Sequence, residues 1–151
     1  MKVGDICSRN VVTVREFDDL TAAARLMRQR HIGYLVVIEP KLDERSVMPV
    51  GVITDRDIVV GVVARETDPR SLRVGDVMTR QPVLAREDDS VASALHQMRE
   101  IGARRVPVVD RGGALVGVLS LDDVLDSLAE ELTEVASSIR RELKVEAALR
   151  P

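Results

Sequence analysis

Apolar and polar positions follow two rhythms along the chain, and the same succession of rhythms occurs twice. Steps of three and four place Leu20, Ala23, Ala24 and Met27 on one helix face, and Val91, Ala94, Leu95 and Met98 repeat that face. Asp19 and Ser90 stand at the N-cap positions of these helices, and Gly102 stops the second. Each helix is preceded by a short extended segment, Val11 to Val14 or Val83 to Ala85, and an acidic turn. Each is followed by a continuous apolar strand, Leu35 to Ile38 or Val106 to Val109, with Pro107 near the strand start where a missing N–H is tolerated. A hairpin leads to a second strand, Val50 to Ile53 or Leu115 to Leu119. In the second copy the hairpin turn is a tight Asp110-Arg111-Gly112-Gly113. In the first it is five residues longer and carries Lys41, Asp43, Glu44 and Arg45. A further helix closes each copy, from about Asp55 to Ala64 and from about Leu121 onward.

The repetition is also literal. Val3-Gly4-Asp5 recurs as Val74-Gly75-Asp76, and the offset of 71 holds for Arg9/Arg80, Val12/Val83, Glu16/Glu87, Ala23/Ala94, Met27/Met98 and Val37/Val108. After the unequal hairpin the offset becomes 66, and Gly51-Val52-Ile53-Thr54-Asp55-Arg56-Asp57 faces Gly117-Val118-Leu119-Ser120-Leu121-Asp122-Asp123. A duplicated unit of this size buries the apolar face of one copy against the other. The expected fold is therefore α+β: tandem repeats, each a small β-sheet packed with two helices, related by a pseudo-two-fold axis. The division reads 1–64 for the first repeat, 65–73 for a linker holding Pro69, 74–128 for the second repeat and 129–151 for a helical extension. Such an arrangement should leave two equivalent clefts between the copies.

The extension has no counterpart in the first copy. Val124, Leu128, Leu132, Val135, Ile139, Leu143 and Ala147 draw an apolar stripe of about six turns at 3.6 residues per turn. Its first half is acidic (Asp126, Glu130, Glu131, Glu134) and its second half basic (Arg140, Arg141, Lys144). Internal symmetry cannot cover this stripe, so it calls for another partner, and a homodimer is the expected state.

Composition narrows the function. The chain has 151 residues, 45% of them apolar but only 1% aromatic, Phe17 and Tyr34. Its net charge is -3 with both signs interspersed. A basic footprint and an aromatic stacking platform are both missing, which argues against nucleic acid. The single Cys7 cannot form an internal disulfide and fits a reducing compartment. Met1 to Asp5 lacks a signal-peptide apolar region, and the run Ile58 to Ala64 is too short to span a bilayer, so a cytoplasmic protein without membrane contact is expected. His31 and His96 belong to no metal-spaced cluster. No nucleophile–base set, phosphate loop or dinucleotide fingerprint occurs, and the chain does not read as an enzyme.

What remains is Gly-x-x-Thr/Ser-x-x-Asp, present twice as Gly51, Thr54, Asp57 and Gly117, Ser120, Asp123. Thr or Ser followed by Asp at a helix start is a capping box, which satisfies backbone N–H groups with no ligand. Glycine inside an apolar strand often marks close approach of a ligand or of a second backbone. Arg104-Arg105 precedes a buried strand, where one arginine could be solvated and the other ion-paired, or the two could fork onto a phosphate.

These stretches, with Val74-Gly75-Asp76-Val77-Met78-Thr79 and Arg104-Arg105-Val106-Pro107-Val108-Val109, resemble a cystathionine-β-synthase (CBS) domain pair over about residues 3 to 128. The resemblance implies a non-catalytic regulatory module that binds adenosine nucleotides such as AMP, ADP or ATP and signals to an unknown protein target, with modules dimerising into flat discs. It needs no further cofactor and no metal. It implies ribose and phosphate contacts at Thr54, Arg56, Asp57, Ser120, Asp123, Arg104 and Arg105, and an adenine pocket from Val12, Ile32, Gly33, Tyr34, Val83 and Ala103. Each cleft would join the apolar patch of one copy to the ribose motif of the other, Asp123 with Val12 and Ile32, Asp57 with Val83 and Ala103. Gly33 and Tyr34 stand where the second copy has Arg104 and Arg105, so the clefts should be chemically unequal. The alternative is a constitutive interaction scaffold in which both motifs only cap helices.

Overall fold

A computed structural model describes residues 1–43 and 45–150. Two helices carry the faces read from the sequence: α2 (Leu20–Arg30) buries Leu20, Ala23 and Met27, and α5 (Val91–Ile101) buries Val91, Ala94 and Met98. Both end on a residue in the left-handed region, Gly102 with φ 67° and, in the equivalent place, His31 with φ 54°. Their starts differ. Ser90 accepts the Ser93 N–H, but the Asp19 carboxylate caps nothing and lies 3.9 Å from the Arg73 guanidinium.

The hairpin strands are longer than the apolar runs alone suggest. β2 (Tyr34–Pro40) and β3 (Val47–Thr54) pair antiparallel, as do β6 (Arg105–Val109) and β7 (Leu115–Ser120). A bulge interrupts each ladder at the same place, between Val37 and Ile38 and between Val108 and Val109. In the long hairpin loop Lys41 N–H reaches Ser46 O at 3.0 Å and Asp43 accepts from the Arg45 and Ser46 backbone; Glu44 lies outside the described residues. The expected extended segments shrink to β1 (Thr13–Val14) and β5 (Ala85–Arg86), parallel to β2 and β6.

Short helices α1 (Val3–Ile6) and α4 (Val74–Val77) open the copies and were not legible as helices. They show that the packed unit differs from the sequence repeat. After α4, strand β4 (Thr79–Arg80) adds to β3 of the first copy, giving a sheet in the order β1-β2-β3-β4. The first copy returns the exchange less completely, through an antiparallel bridge from Ser8 to Val118 of the second sheet, β5-β6-β7. The cores follow the exchange. Val74 and Met78 join the core of the first copy, with Leu35, Val37 and Ile53, while Val3 and Cys7 pack with Val106, Val108 and Leu119 of the second. Backbone bonds fasten each opening segment across the copies, Gly4 N–H to Glu87 O and Gly75 N–H to Glu16 O, both at 2.8 Å.

This exchange explains the strand glycines. A Cβ at Gly51 would lie 2.9 Å from Thr79 O, and one at Gly117 would lie 2.7 Å from Ser8 O. Of the two readings open for these glycines, close approach of a second backbone is the one observed.

The helix that closes the first copy is shorter and wound differently than expected. Only Asp55–Ile58 (α3) is α-helical, and Val59–Val63 forms a π turn, with Ala64 N–H reaching back to Val59 O. Four β-branched valines and Gly61 are weak helix formers, which makes a wider turn tolerable. The corresponding helix of the second copy, α6 (Leu121–Leu149), runs 29 residues without a break and buries only Val124.

Candidate functional site

The two Gly-x-x-Thr/Ser-x-x-Asp motifs form complete capping boxes. Asp57 N–H donates to Thr54 Oγ1 at 3.1 Å and Thr54 N–H to Asp57 Oδ2 at 2.9 Å. Asp123 N–H donates to Ser120 Oγ at 3.0 Å and Ser120 N–H to Asp123 Oδ2 at 3.0 Å. The boxes hold each carboxylate rigidly against a helix start. Among the described residues no hydrogen bond reaches Asp123 Oδ1 or Asp57 Oδ1, so each box leaves an acceptor oxygen for other use.

Asp123 faces a cavity of about 400 Å³ between the copies. The N-terminal segment of the first copy forms one wall through Ser8, Asn10, Val11 and Val12. The end of α2 and the start of β2 supply Arg30, His31, Ile32, Gly33 and Tyr34, and the second copy supplies Arg105, Val118, Ser120 and Asp123. The juxtaposition of Val12 and Ile32 with Ser120 and Asp123 is the cross-copy pairing set out above. It arises because the exchanged segment carries residues 8 to 12 across to Val118, where Ser8 and Val118 trade two backbone bonds of 2.9 Å.

Tyr34 and Arg105 are equivalent positions of the repeat, and in space they meet. Register places Tyr34 opposite Thr54 and Arg105 opposite Ser120, at the same ladder end of each sheet. The pseudo-two-fold axis then stacks the Arg105 guanidinium over the Tyr34 ring at 5.9 Å, a cation–π arrangement. Burial pushes the Tyr34 phenol above its ordinary pKa, and the positive charge of Arg105 opposes that shift. The hydroxyl is enclosed and finds no hydrogen-bond partner among the described residues, a costly position for a polar atom unless something else engages it.

The remaining candidate residues are dispersed. Arg104 does not line this cavity; its carbonyl accepts the Leu121 N–H at 3.0 Å. The Gly33 carbonyl accepts the equivalent bond from Asp55 N–H, and a Cβ at Gly33 would require the Asp55 carboxylate to swing aside. Asp57 and Arg56 line another cavity, of about 340 Å³, with Val60, Gly61, Arg65, Asp76 and Val77. Neither Val83 nor Ala103 borders it, so the expected junction of Asp57 with those residues is not formed there. Val83 is partly exposed, and Ala103 packs against the second core. The two motifs therefore face cavities of different lining. The valine π turn and Asp55 alter the first copy at the places where equivalence would be needed.

Ser8, Asn10, Val11, Arg30, His31 and Val118 were not legible as lining residues. Arg30 and His31 lie at the end of α2, where His31 takes the left-handed position that Gly102 occupies in the other copy. Ser8 and Asn10 reach the cavity only through the exchange of opening segments, which no local pattern announces. Among the described residues no group of His, Cys, Asp and Glu is placed to hold a metal ion, and no helix is long and apolar enough to cross a membrane.

Comparison with known proteins places these features in a family. The family model of the CBS domain matches residues 3–64 and again residues 74–130. An uncharacterized protein of Methanopyrus kandleri is 34% identical over 125 residues, covering 83% of this chain and 61% of the relative. A CBS domain protein from Pyrobaculum aerophilum complexed with AMP superimposes with a TM-score of 0.71 at 28% identity, covering 82% of this chain and 89% of that one. The CBS domain pair of protein MJ0100, in complex with 5'-methylthioadenosine and S-adenosyl-L-methionine, gives 0.72 at 25% identity over 87% of this chain and 98% of that one.

Proposed function

Because the chain belongs to the CBS domain family, with two copies in tandem, we propose that it is a non-catalytic regulatory module. Its ligand is an adenosine nucleotide bound in the cavity of Tyr34, Arg105 and Asp123. The observation that carries this reading is the convergence in one cavity of three chemistries a nucleotide requires. Val12 and Ile32 offer apolar walls to a base. Asp123, fixed by its capping box, presents Oδ1 to a vicinal diol, a charge-assisted bond. Arg105 from the second copy and Arg30 from the end of α2 supply positive charge for a phosphate. Structures of similar chains with AMP or with S-adenosyl-L-methionine and 5'-methylthioadenosine support an adenosine ligand.

The cavity lies between the copies, so a ligand that fits one relative arrangement better than another shifts their balance, and a protein partner reads that shift. No cofactor beyond the nucleotide is needed. A second reading, a ligand-free scaffold, has its own support: both capping boxes are complete, and the strand glycines are explained by the exchanged backbone.

Thermal denaturation with AMP, ADP, ATP, NAD and S-adenosylmethionine at millimolar concentration separates the two. A ligand bound only to the folded state raises stability by RT ln(1 + [L]/Kd), about 2.7 kcal/mol at a hundredfold excess over Kd. At least one adenosine compound should raise the midpoint by several degrees. A midpoint unmoved by the whole panel leaves the scaffold.

A further inference from the structure

Val124 is the one buried residue of helix α6, and beyond it the helix continues for about 37 Å at 1.5 Å per residue. Along it Leu125, Leu128, Leu132, Val135, Ile139 and Leu143 are between 47 and 71% exposed. At 100° per residue they fall within an arc of about 80°, a narrow stripe of the kind that packs against one other helix. An apolar stripe of this length left in water marks an interface.

We propose that the occupant is a second copy of this chain, its α6 lying antiparallel to the first about a two-fold axis between Thr133 and Glu134. The stripe is complementary to itself in that register. Leu132 meets the partner's Val135, Leu128 the partner's Ile139 and Leu125 the partner's Leu143, and each pairing recurs on the other side of the axis. The charges agree. Asp126, Glu130, Glu131 and Glu134 lie along the first half of the extension and Arg140, Arg141 and Lys144 along the second. Antiparallel pairing runs the acidic half of each helix along the basic half of its partner. A parallel pair would set the acidic half against the acidic half. The inference does not depend on the nucleotide reading.

Sedimentation equilibrium on the full chain should show dimers at tens of micromolar. Leu132→Asp, an exposed position whose change leaves the module intact, should raise the dimer dissociation constant at least a hundredfold. Reversing the basic half (Arg140→Glu, Arg141→Glu and Lys144→Glu) or the acidic half (Asp126→Lys, Glu130→Lys, Glu131→Lys and Glu134→Lys) should each raise it roughly tenfold, and the double variant reversed in both halves should restore it, because opposite charges again run alongside each other. Orientation is read from a spin label on Ala148→Cys in a Cys7→Ala background. The antiparallel pair places the two labels about 45 Å apart, whereas a parallel pair brings them below about 35 Å. A chain monomeric at that concentration, a dimer indifferent to Leu132→Asp, a double variant no better than the singles, or the short label distance would each overturn the proposal.

Discussion

Tyr34 is the chain's one tyrosine, there is no tryptophan, and it lines the candidate cavity. Its environment can therefore be titrated without interference. Burial raises the phenol's pKa above the unfolded value of about 10. For an acid whose folded pKa is raised, the folded state holds more protons than the unfolded state above pH 10. This contribution to stability is thus fully present below about pH 10 and is lost as pH climbs through the folded pKa. Ultraviolet titration should show no ionisation of native protein near pH 10 and a normal midpoint in denaturant. Arg105→Ala should move the native midpoint higher still, because the nearby positive charge now holds it down. A native midpoint at the ordinary value would mean that the ring is solvated and the cavity geometry wrong. The alignment of the copies makes Tyr34 and Arg105 equivalent, but equivalence along a chain does not say that two residues lie on the axis and touch. That contact was hidden for this reason, whereas Asp123 with Val12 and Ile32 could be placed from motif and resemblance.

At the scale of elements, the glycines give the sharpest contrast. Gly117 sits under the Ser8 carbonyl of the exchanged segment, and a methyl group there must displace backbone. Gly61 lies in the π turn with nothing within 4 Å of its Cβ position. Gly117→Ala should therefore destabilise by about 1–3 kcal/mol, the usual cost of overpacking. Gly61→Ala should be neutral or stabilise by up to about 1 kcal/mol, the ordinary advantage of alanine in a helix. Urea denaturation of the two variants checks both signs. Equal behaviour would mean that the opening segments do not cross between copies. Helix faces, hairpins and the left-handed stop at Gly102 were legible because each is written in local periodicity or in one residue's conformational range. The π turn and helices α1 and α4 were not. Four-residue helices carry too little periodicity to register, and their apolar residues belong to the other copy's core.

For the whole molecule, the exchange of opening segments makes two sequence repeats into one interlocked body. Val3 is completely buried in the second core and Val74 in the first. Arg9 with Glu87, at 3.5 Å, and Arg80 with Glu16, at 2.8 Å, repeat the crossing at the surface, where such pairs add little energy. The same crossing builds the candidate cavity, since residues 8 to 12 reach Asp123 only by passing to the other copy. Pseudo-symmetry suggested two clefts, but the first copy departs from the second at Gly33, Asp55 and the π turn. The proposed site therefore has Asp123, not Asp57, at its centre. Equilibrium dialysis of the adenosine compound that most raises the melting midpoint, against wild type, Asp123→Asn and Asp57→Asn, tests this most directly. Asparagine remains a competent cap, so both variants should stay folded. Asp123→Asn should lose about 1.5–3 kcal/mol of affinity, the worth of a hydrogen bond to a charged acceptor, while Asp57→Asn binds as wild type does. Unchanged binding by Asp123→Asn, or an equal loss in both variants, would contradict it.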